Sequence, residues 1–263
     1  MLSLLMNPDS AEGYKSAAQA ARRITEDWGA KNLYCVCCSS VTIEATKANS
    51  RALDFRCLSC RATYELKSGR RRNENRVPDS AYAAMMEALT SDNVPNLFVM
   101  HYSSSWSVRN LLLIPSFFFS PAAIEKRKPL GPGARRAGWV GCNILLSKIA
   151  PVGKIRLVTD GHIEPIDRIR SNYRRIKPLA TVKPEARGWT LDVLNVVERL
   201  GLQTFDLADV YAHEAELAAA HPQNKNIRPK IRQQLQVLRD LGLLQFRERG
   251  NYRLIASAVG PQS

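Results

Sequence analysis

Residues 52–68, ALDFRCLSCRATYELKS, place two cysteines between an aspartate and an alternating stretch that contains a glutamate and a lysine. The stretch TYELKS alternates as a β-strand does, so we expect Glu65 and Lys67 on one face of a strand and Leu66 pointing into the core. A strand that carries Asp54 can turn back at the cysteines and run beside the strand that carries Glu65. The sequence therefore predicts two neighbouring strands joined by a cysteine-bearing turn.

The cysteines around this turn have the spacing of metal ligands. Cys35 and Cys38 form one C-x2-C pair, and Cys57 and Cys60 form a second pair 18 residues later. In four-thiolate zinc sites about 15–20 residues separate two such pairs, and each pair directs two sulfurs at one tetrahedral ion. Because four sulfurs leave no open position, the sequence predicts structural rather than catalytic zinc. Cys37 lies inside the first pair and remains an alternative to Cys35 or Cys38.

The acidic residues of the opening segment have a spacing that is typical of metal-dependent phosphodiester hydrolysis. Asp54 is followed, after ten residues, by Glu65 and then Lys67. Two carboxylates bind a hard divalent ion, which activates water and neutralises phosphate charge. The lysine positions the water or stabilises the developing negative charge. The alternative is that charged residues on an exposed strand produce this pattern by chance.

The charge of the chain favours a polyanionic partner. The 263 residues carry a formal net charge of +14. Residues 1–179 contain 27 lysines and arginines against 15 acidic residues, and residues 223–254 contain 8 against 2. Two separate basic regions fit a protein that contacts a phosphate backbone twice. Nucleic acid is therefore the favoured partner among polyanions. The alternative is that the basic residues only keep the protein in solution.

Neither a membrane span nor a secretory signal is recognisable in the sequence. No stretch approaches about 18 consecutive apolar residues, and the start MLSLLMNPDSAEGYK lacks a basic region followed by a long apolar one. We therefore expect a cytoplasmic protein with no membrane partner. In that compartment six cysteines favour metal binding or free thiols over disulfides. Cys142 stands alone in an apolar context and is expected to be a core thiol.

The order of elements predicts two domains, residues 1–180 and 181–263. The first combines two amphipathic helices, SAAQAARRITEDWGAKNLYC and SAYAAMMEALTSD, with β-rich runs such as NLFVMHYS, SVRNLLLIPSFFF and GKIRLVTDG. This mixture indicates an α/β or α+β fold around one sheet. Residues 175–189, RIKPLATVKPEARGW, contain two prolines and no strong periodicity, and we interpret them as a linker.

The second domain has the pattern of a winged helix. Three helices are predicted in TLDVLNVVERLG, TFDLADVYAHEAELAAAHP and NIRPKIRQQLQVLRDLG, the second of them starting at Thr204 or Asp206. LLQFRERGNYRLI follows as a hairpin with a Gly-Asn turn. The third helix of such a domain normally enters the major groove of DNA.

Several blocks of sequence, in one order, point to a known family. They are YKS, TEDW, the paired cysteines, DFRC, YELKS, AYAAMM, RKPLGPGARRAGWVGCNI, RGWT, IRQQLQVLRD and RGNYR. Through these blocks nearly the whole chain resembles the DpnI-like methyl-directed restriction endonucleases. The resemblance implies a PD-(D/E)xK nuclease core with an inserted four-cysteine zinc site, followed by a winged helix. It also implies Mg2+-dependent cleavage of double-stranded DNA at GATC containing N6-methyladenine.

The catalytic residues that the resemblance implies are Asp54, Glu65 and Lys67, with Asp54 and Glu65 as the Mg2+ ligands. Leu53 stands where the PD motif has proline, and Cys37 adds a thiol to the first cysteine pair. Neither departure removes a catalytic group. They leave the preferred divalent ion and the geometry of the turn open.

The DNA-facing residues follow from the buried side of the third helix. Ile227, Ile231, Leu235 and Leu238 form its predicted apolar stripe. Arginine suits guanine, and asparagine or glutamine suits adenine. The remaining polar residues are therefore candidates for DNA contact, with some expected to be solvated instead: Asn226, Arg228, Lys230, Arg232, Gln233 and Gln234.

Two other segments are expected to approach DNA. In ARRAGWVG, Arg135 and Arg136 lie beside the glycine-flanked Trp139. Our hypothesis is that Trp139 packs against the methylated adenine; the alternative is a core tryptophan. The predicted wing offers three arginines for phosphate contacts: Arg247, Arg249 and Arg253.

The sequence therefore favours a type II site-specific deoxyribonuclease. The alternative is a non-cleaving, methylation-sensing DNA-binding regulator, which would gain nothing from two carboxylates that face a phosphate. An RNA-directed protein is a weaker alternative, since no RNP-type aromatic motif is present. The four histidines form no pair with metal spacing and receive no catalytic role. The oligomeric state stays open, with a monomer among the alternatives.

Overall fold

The computed structural model of the protein describes residues 2–46, 53–71, 75–248 and 250–255. It is a mixed α/β structure with two compact units. The first unit comprises Met1–Val77, Pro95–Ser116 and Lys154–Arg174. The second comprises Pro78–Val94, Phe117–Gly153 and Arg175–Ser263. The second unit thus contains the predicted winged-helix region together with two segments from the predicted first domain.

The helices and strands alternate along the chain. In chain order they are α1 (Ala17–Asn32), β1 (Glu44–Ala45), β2 (Phe55–Arg56), β3 (Thr63–Gly69), β4 (Arg76–Ala81), α2 (Tyr82–Thr90), β5 (Asn96–Tyr102), β6 (Val108–Ile114), β7 (Ile124–Lys126), β8 (Gly141–Leu145), β9 (Ile155–Thr159), β10 (His162–Ile163), α3 (Ile166–Ile176), α4 (Pro184–Arg199), β11 (Thr204–Asp206), α5 (Leu207–Tyr211), α6 (Glu214–Ala220), α7 (Ile227–Asp240), β12 (Leu244–Glu248) and β13 (Asn251–Leu254). The predictions are confirmed for helices α1 and α2 and for strands β3, β5, β6 and β9. Within the described residues, no helix is both long enough and apolar enough to cross a membrane.

The first unit is built on a seven-stranded sheet in the order β1-β2-β3-β5-β6-β9-β10. Strand β3 lies inside this sheet, antiparallel to β2 and parallel to β5. Its Tyr64 is fully buried and stacks on Phe98, with the ring centroids 5.3 Å apart. Leu66 is two residues further along β3, so it points to the same face as Tyr64 and lies beside Phe98 of β5. It is half-buried, and it therefore faces the core but lies at its edge.

Helix α1 approaches the β2–β3 hairpin closely because of one glycine. A Cβ atom on Gly29 would lie 2.6 Å from the ring of Phe55 in β2. Phe55 is fully buried and immediately follows Asp54 in the chain. A hydrogen bond from Ser68 to Thr25, 3.1 Å long, connects β3 to the same helix. The small residue at position 29 therefore helps to fix the hairpin that carries Asp54.

Substitution of Gly29 by alanine is expected to lower the free energy of unfolding. Overpacking against a buried ring costs about 1–3 kcal/mol, whereas the better helix propensity of alanine returns up to about 1 kcal/mol. Urea denaturation measures the net change. Gly131→Ala is the control, because a Cβ there meets no atom within 4 Å and the expected change is below about 0.5 kcal/mol. Equal stability of the two variants would contradict the close packing of α1 on Phe55.

The second unit contains two three-stranded sheets, in the orders β4-β8-β7 and β11-β13-β12. The expectation of one sheet up to residue 180 is therefore wrong. Strands β7 and β8 pair across residues 127–140, and a connection of that length carries no hairpin signal that a sequence pattern reveals. Cys142 in β8 is fully buried, and its thiol contacts the Ser80 carbonyl oxygen at 3.3 Å, which confirms the predicted core thiol.

The segment interpreted as a linker is not a linker. Residues 177–181 form a 3-10 helix, and α4 begins at Pro184. Proline suits the first helical position, because its fixed φ matches the helix and its missing N–H needs no partner there. Arg187 in the first turns of α4 donates two hydrogen bonds to Asp92, at 2.7 and 3.1 Å. The prolines thus start a helix instead of separating two domains.

The helix predicted after Thr204 is divided in two. Asp206 begins α5 with a reciprocal capping box, in which its side chain accepts from the Asp209 N–H and the Asp209 side chain accepts from the Asp206 N–H. This confirms Asp206 as the cap. Thr204 instead lies in strand β11. Helix α5 ends at Tyr211, and α6 starts at Glu214.

Helix α7 and the hairpin that follows it confirm the winged-helix pattern. The predicted apolar stripe of α7 is buried at all four positions, Ile227, Ile231, Leu235 and Leu238. Strands β12 and β13 pair antiparallel, and Gly250 between them has a φ of +81°, a left-handed conformation that glycine adopts without strain. Arg249 of the predicted wing lies outside the described residues, as do residues 72–74 of the basic stretch that follows β3.

Candidate functional site

Four cysteines of the first unit converge on one point. The sulfur atoms of Cys35, Cys38, Cys57 and Cys60 all lie within 4.8 Å of one another. The closest pairs are Cys35 with Cys60 at 3.5 Å and Cys38 with Cys57 at 3.7 Å. Tetrahedral zinc with Zn–S bonds of about 2.3 Å places its sulfurs about 3.8 Å apart. The four thiols are therefore positioned to bind a metal ion, and their number and type are those of structural zinc.

Cys37 lies beside this group and not within it. The Tyr64 hydroxyl donates a hydrogen bond to the Cys37 sulfur at 3.3 Å and contacts the Cys35 sulfur at 3.0 Å. The hydrogen-bonding contact with Cys37 is the largest effect on the Cys35 thiol and lowers its pKa to about 4. The same contact with Cys35, together with burial, raises the pKa of Cys37. Cys37 therefore lies next to the four-cysteine group without belonging to it.

The first cysteine pair is braced by a residue far away in sequence. Arg170 of α3 donates hydrogen bonds to the carbonyl oxygens of Cys35, at 3.1 Å, and Ser40, at 2.7 Å. Its guanidinium also lies 5.6 Å from the centre of the Tyr34 ring. Sequence patterns gave no sign of this contact, because 135 residues separate Arg170 from Cys35.

Replacement of Cys57 by serine is expected to abolish metal binding, from about one zinc per chain to none, and to lower the melting temperature. Elemental analysis of the purified variant measures the zinc content. Cys37→Ser is the matched control and is expected to retain its zinc, because Cys37 lies outside the group of four. Loss of zinc from Cys37→Ser would contradict this assignment of ligands.

The two acidic residues and the lysine of the opening segment meet at β3. Strand β2 pairs Phe55 with Tyr64, and just before it the Asp54 N–H donates to the Tyr64 carbonyl oxygen at 3.0 Å, so Asp54 lies at the end of the β2–β3 pairing. The backbone N–H of Leu66 donates to the Asp54 carboxylate at 2.8 Å, and the Lys67 ammonium lies 2.5 Å from the Glu65 carboxylate. The structure thus brings Asp54, Glu65 and Lys67 together.

The carboxylates of this group lie in a partly desolvated setting. Glu65 is only 8% exposed. Burial raises the pKa of the Asp54 carboxyl above its usual value, although the hydrogen bond from the Leu66 N–H lowers it in part. The Glu26 carboxylate of α1 raises the pKa of Asp54 further by repulsion. Such a site favours a bound cation, because positive charge offsets the cost of ionising neighbouring carboxylates.

Two of the four clustered cysteines lie in the same hairpin as Asp54, Glu65 and Lys67, which we call the acidic group. Cys57 and Cys60 lie in the turn between β2 and β3, which is closed by hydrogen bonds from the Cys57 N–H to the Ala62 oxygen and from the Arg61 N–H to the Cys57 oxygen. Asp54 precedes this turn, and Glu65 follows it. Tyr64, adjacent to Glu65, contacts the sulfurs of the first cysteine pair. A metal ion bound by the cysteines therefore fixes the strand that carries Glu65.

The loop between β7 and β8 presents the predicted arginine–tryptophan group. Trp139 is half-buried, whereas Arg135 and Arg136 are exposed. The Arg136 guanidinium lies 4.8 Å from the centre of the Trp139 ring. The ring also packs against Gly141, where a Cβ would lie 2.6 Å from Trp139. Trp139 is thus neither a core residue nor fully exposed.

The polar side of α7 carries most of the predicted DNA-facing residues. Asn226, Arg228, Arg232 and Gln233 are exposed, and Lys230 is half-buried. Within the second unit, neighbouring side chains orient the basic residues. Arg228 pairs with Glu214 at 2.7 Å, Arg232 donates to the Tyr211 hydroxyl at 2.8 Å, and Lys230 donates to Gln233 at 2.8 Å. Arg247 and Arg253 of the hairpin are exposed as well.

Gln234 does not belong to this polar side, and its prediction as a DNA-facing residue is wrong. Its side chain is only 2% exposed and accepts a hydrogen bond from the Thr190 hydroxyl at 2.7 Å. The apolar stripe of α7 is wide enough to include position 234, and Thr190 of α4 provides the partner that allows a buried amide. This partner lies 44 residues away, so the helical pattern alone did not reveal it.

Two family models match the chain. One, described as the Dam-replacing family (DpnI), matches residues 2–182, and the other, described as the Dam-replacing HTH domain, matches residues 185–254. The chain belongs to the Dam-replacing family. The first match covers the cysteine group and the acidic group, and the second covers the helices and hairpin of the winged helix. Family membership thus confirms the predicted resemblance and the helix-turn-helix at the C-terminal side.

Proposed function

We propose that this member of the Dam-replacing family is a methyl-directed restriction endonuclease. It hydrolyses double-stranded DNA at GATC sites that contain N6-methyladenine, and it requires Mg2+. The observation that carries this proposal is the convergence of Asp54, Glu65 and Lys67 at β3. The net charge of +14 and the helix-turn-helix domain support DNA as the partner.

The chemistry of the group at β3 fits phosphodiester hydrolysis. Asp54 and Glu65 offer carboxylate oxygens, which are the ligands that Mg2+ prefers. When bound there, the ion activates a water molecule and neutralises charge on the phosphate. Lys67 contributes a fixed positive charge beside Glu65, where it positions the attacking water and stabilises the charge that develops on the phosphate oxygens.

The two family matches support different roles for the two parts of the chain. In this proposal residues 1–180 cut the DNA, and residues 181–263 bind it through the exposed side of α7. Arg228, Arg232 and Gln233 are oriented there for base edges or phosphates. The loop with Arg135, Arg136 and Trp139 adds a second contact, and its half-buried ring is suited to pack against the adenine methyl group.

Digestion of matched plasmids tests the proposed activity. With Mg2+, the wild-type protein is expected to cut plasmid from an adenine-methylating strain and to leave plasmid from a non-methylating strain intact. Glu65→Ala is expected to remove at least about 100-fold of the cutting rate, because it deletes a metal ligand. If folded, zinc-loaded protein binds methylated DNA but cuts neither plasmid, the non-cleaving methylation-sensing regulator is the correct function.

Trp139→Ala tests the source of methyl specificity. Removal of the ring is expected to reduce the ratio of cleavage rates on methylated and unmethylated duplexes by about tenfold, since one apolar contact with a methyl group contributes about 1–3 kcal/mol. Arg135→Ala is the control, because a phosphate contact weakens binding to both duplexes alike. A folded Trp139→Ala protein with an unchanged preference would contradict the role of this ring.

A further inference from the structure

One cation beside the acidic group is left unexplained by the proposed function. Arg22 of α1 extends towards Asp54, and its guanidinium lies 3.9 Å from the Asp54 carboxylate. Its Nε lies 2.5 Å from the Glu26 carboxylate, one helical turn along α1. The Arg22 side chain nevertheless remains 67% exposed, whereas that of Asp54 is 17% exposed. The guanidinium is thus oriented on one side and open to solvent on the other.

Helix stability does not account for this arrangement. A basic residue four positions before an acidic one is the less favourable order of an i, i+4 pair, because the helix dipole favours the reverse. An exposed ion pair of this kind contributes little to the stability of a folded protein. The approach of Arg22 to a second carboxylate, that of Asp54, is better explained by a role at the acidic group.

The position of Arg22 fits a phosphate group. The Arg22 guanidinium lies 3.9 Å from the Asp54 carboxylate. A DNA phosphate that approaches Asp54 and Glu65 would therefore also lie close to Arg22. The planar guanidinium matches two phosphate oxygens at once, and it stays charged at any relevant pH. Glu26 contacts the guanidinium at Nε, which leaves the Nη1–Nη2 edge, whose Nη2 atom lies nearest Asp54, for an incoming oxygen.

We propose that Arg22 binds the phosphate at which the DNA is cut, and that Glu26 is the positioning residue that orients it. This inference rests on the proposed nuclease function and adds a substrate-binding residue to it. In the absence of DNA, Arg22 partly neutralises Asp54. When DNA is bound, a phosphate oxygen takes the place of the Asp54 carboxylate as the partner of the guanidinium.

Arg23 provides a matched control on the same helix. It carries the same charge, is exposed, and is rotated by about 100° around the helix axis relative to Arg22. Arg22→Ala and Arg23→Ala therefore change the net charge equally and remove an exposed side chain in each case. Circular dichroism and the melting temperature check that both variants fold.

DNA binding measured by fluorescence anisotropy, with Ca2+ in place of Mg2+, tests the proposal over a series of salt concentrations. Arg22→Ala is expected to weaken binding to a methylated GATC duplex by about tenfold or more. The slope of log K against log salt is expected to become shallower by about 0.9, the value for one lost phosphate contact. Arg23→Ala is expected to leave the slope unchanged.

A methylphosphonate at the mapped cleavage position locates the contact. This substitution removes the charge of one phosphate, so it is expected to abolish the difference in affinity between the wild type and Arg22→Ala. Glu26→Gln is expected to lower kcat in the wild-type background and to lower it much less in the Arg22→Ala background, because the positioning effect of Glu26 acts through Arg22 and only its direct repulsion of Asp54 remains there.

The possible results separate this inference from the proposed function. If the wild type cuts methylated DNA and the two alanine variants have equal salt slopes, Arg22 is not a phosphate ligand and the nuclease function stands. If the wild type binds without cutting and only Arg22→Ala has a shallower slope, Arg22 contacts a phosphate, but the nuclease function fails and with it the assignment of that phosphate as the one that is cut. If the wild type binds no DNA, both fall together.

Discussion

The turn at Cys57–Cys60 is the constraint on which the acidic group depends. It closes β2 onto β3 and sets the register that brings the Asp54 carboxylate to the Leu66 N–H, next to Glu65. A slip of one residue would send the side chains of β3 to the opposite faces of the sheet, and Glu65 would leave Asp54. A metal ion at the four cysteines fixes this register, because its binding free energy is available only when the turn is formed. The cysteines therefore form the framework of the hairpin that carries the proposed site residues.

In the second unit, side-chain hydrogen bonds fix the positions of helices α4 and α7. Thr190 of α4 satisfies Gln234 of α7, so the two helices are held in one relative orientation by a directional bond as well as by apolar packing. Arg187 fixes the start of α4 on Asp92. Loss of Thr190 would leave the buried Gln234 amide without this partner, and loss of Asp92 would do the same to the buried Arg187 guanidinium; an unsatisfied buried group costs more than the bond contributes when it is intact. Such contacts present the exposed side of α7 as a rigid surface.

Local patterns in the sequence predicted those features that local chemistry determines. The C-x2-C pairs, the strand around Glu65, the cap at Asp206 and the apolar stripe of α7 all depend on residues within a few positions of one another. The start of α4 at Pro184 was missed, because a proline signals a break as readily as a first helical position. The burial of Gln234 and the brace from Arg170 were missed for another reason: their partners are distant in the chain, and periodicity carries no information about them. The catalytic roles at β3 stay predictions, which the geometry supports.

The structure of the protein with Ca2+ and a methylated GATC duplex tests the central claim most directly. Ca2+ occupies hard oxygen sites, and the account predicts its anomalous signal between the carboxylates of Asp54 and Glu65, beside one phosphate of the DNA. Zinc is predicted at the four cysteines in the same crystal. A duplex bound with no cation at Asp54 and Glu65, or with its backbone far from β3, would contradict the account.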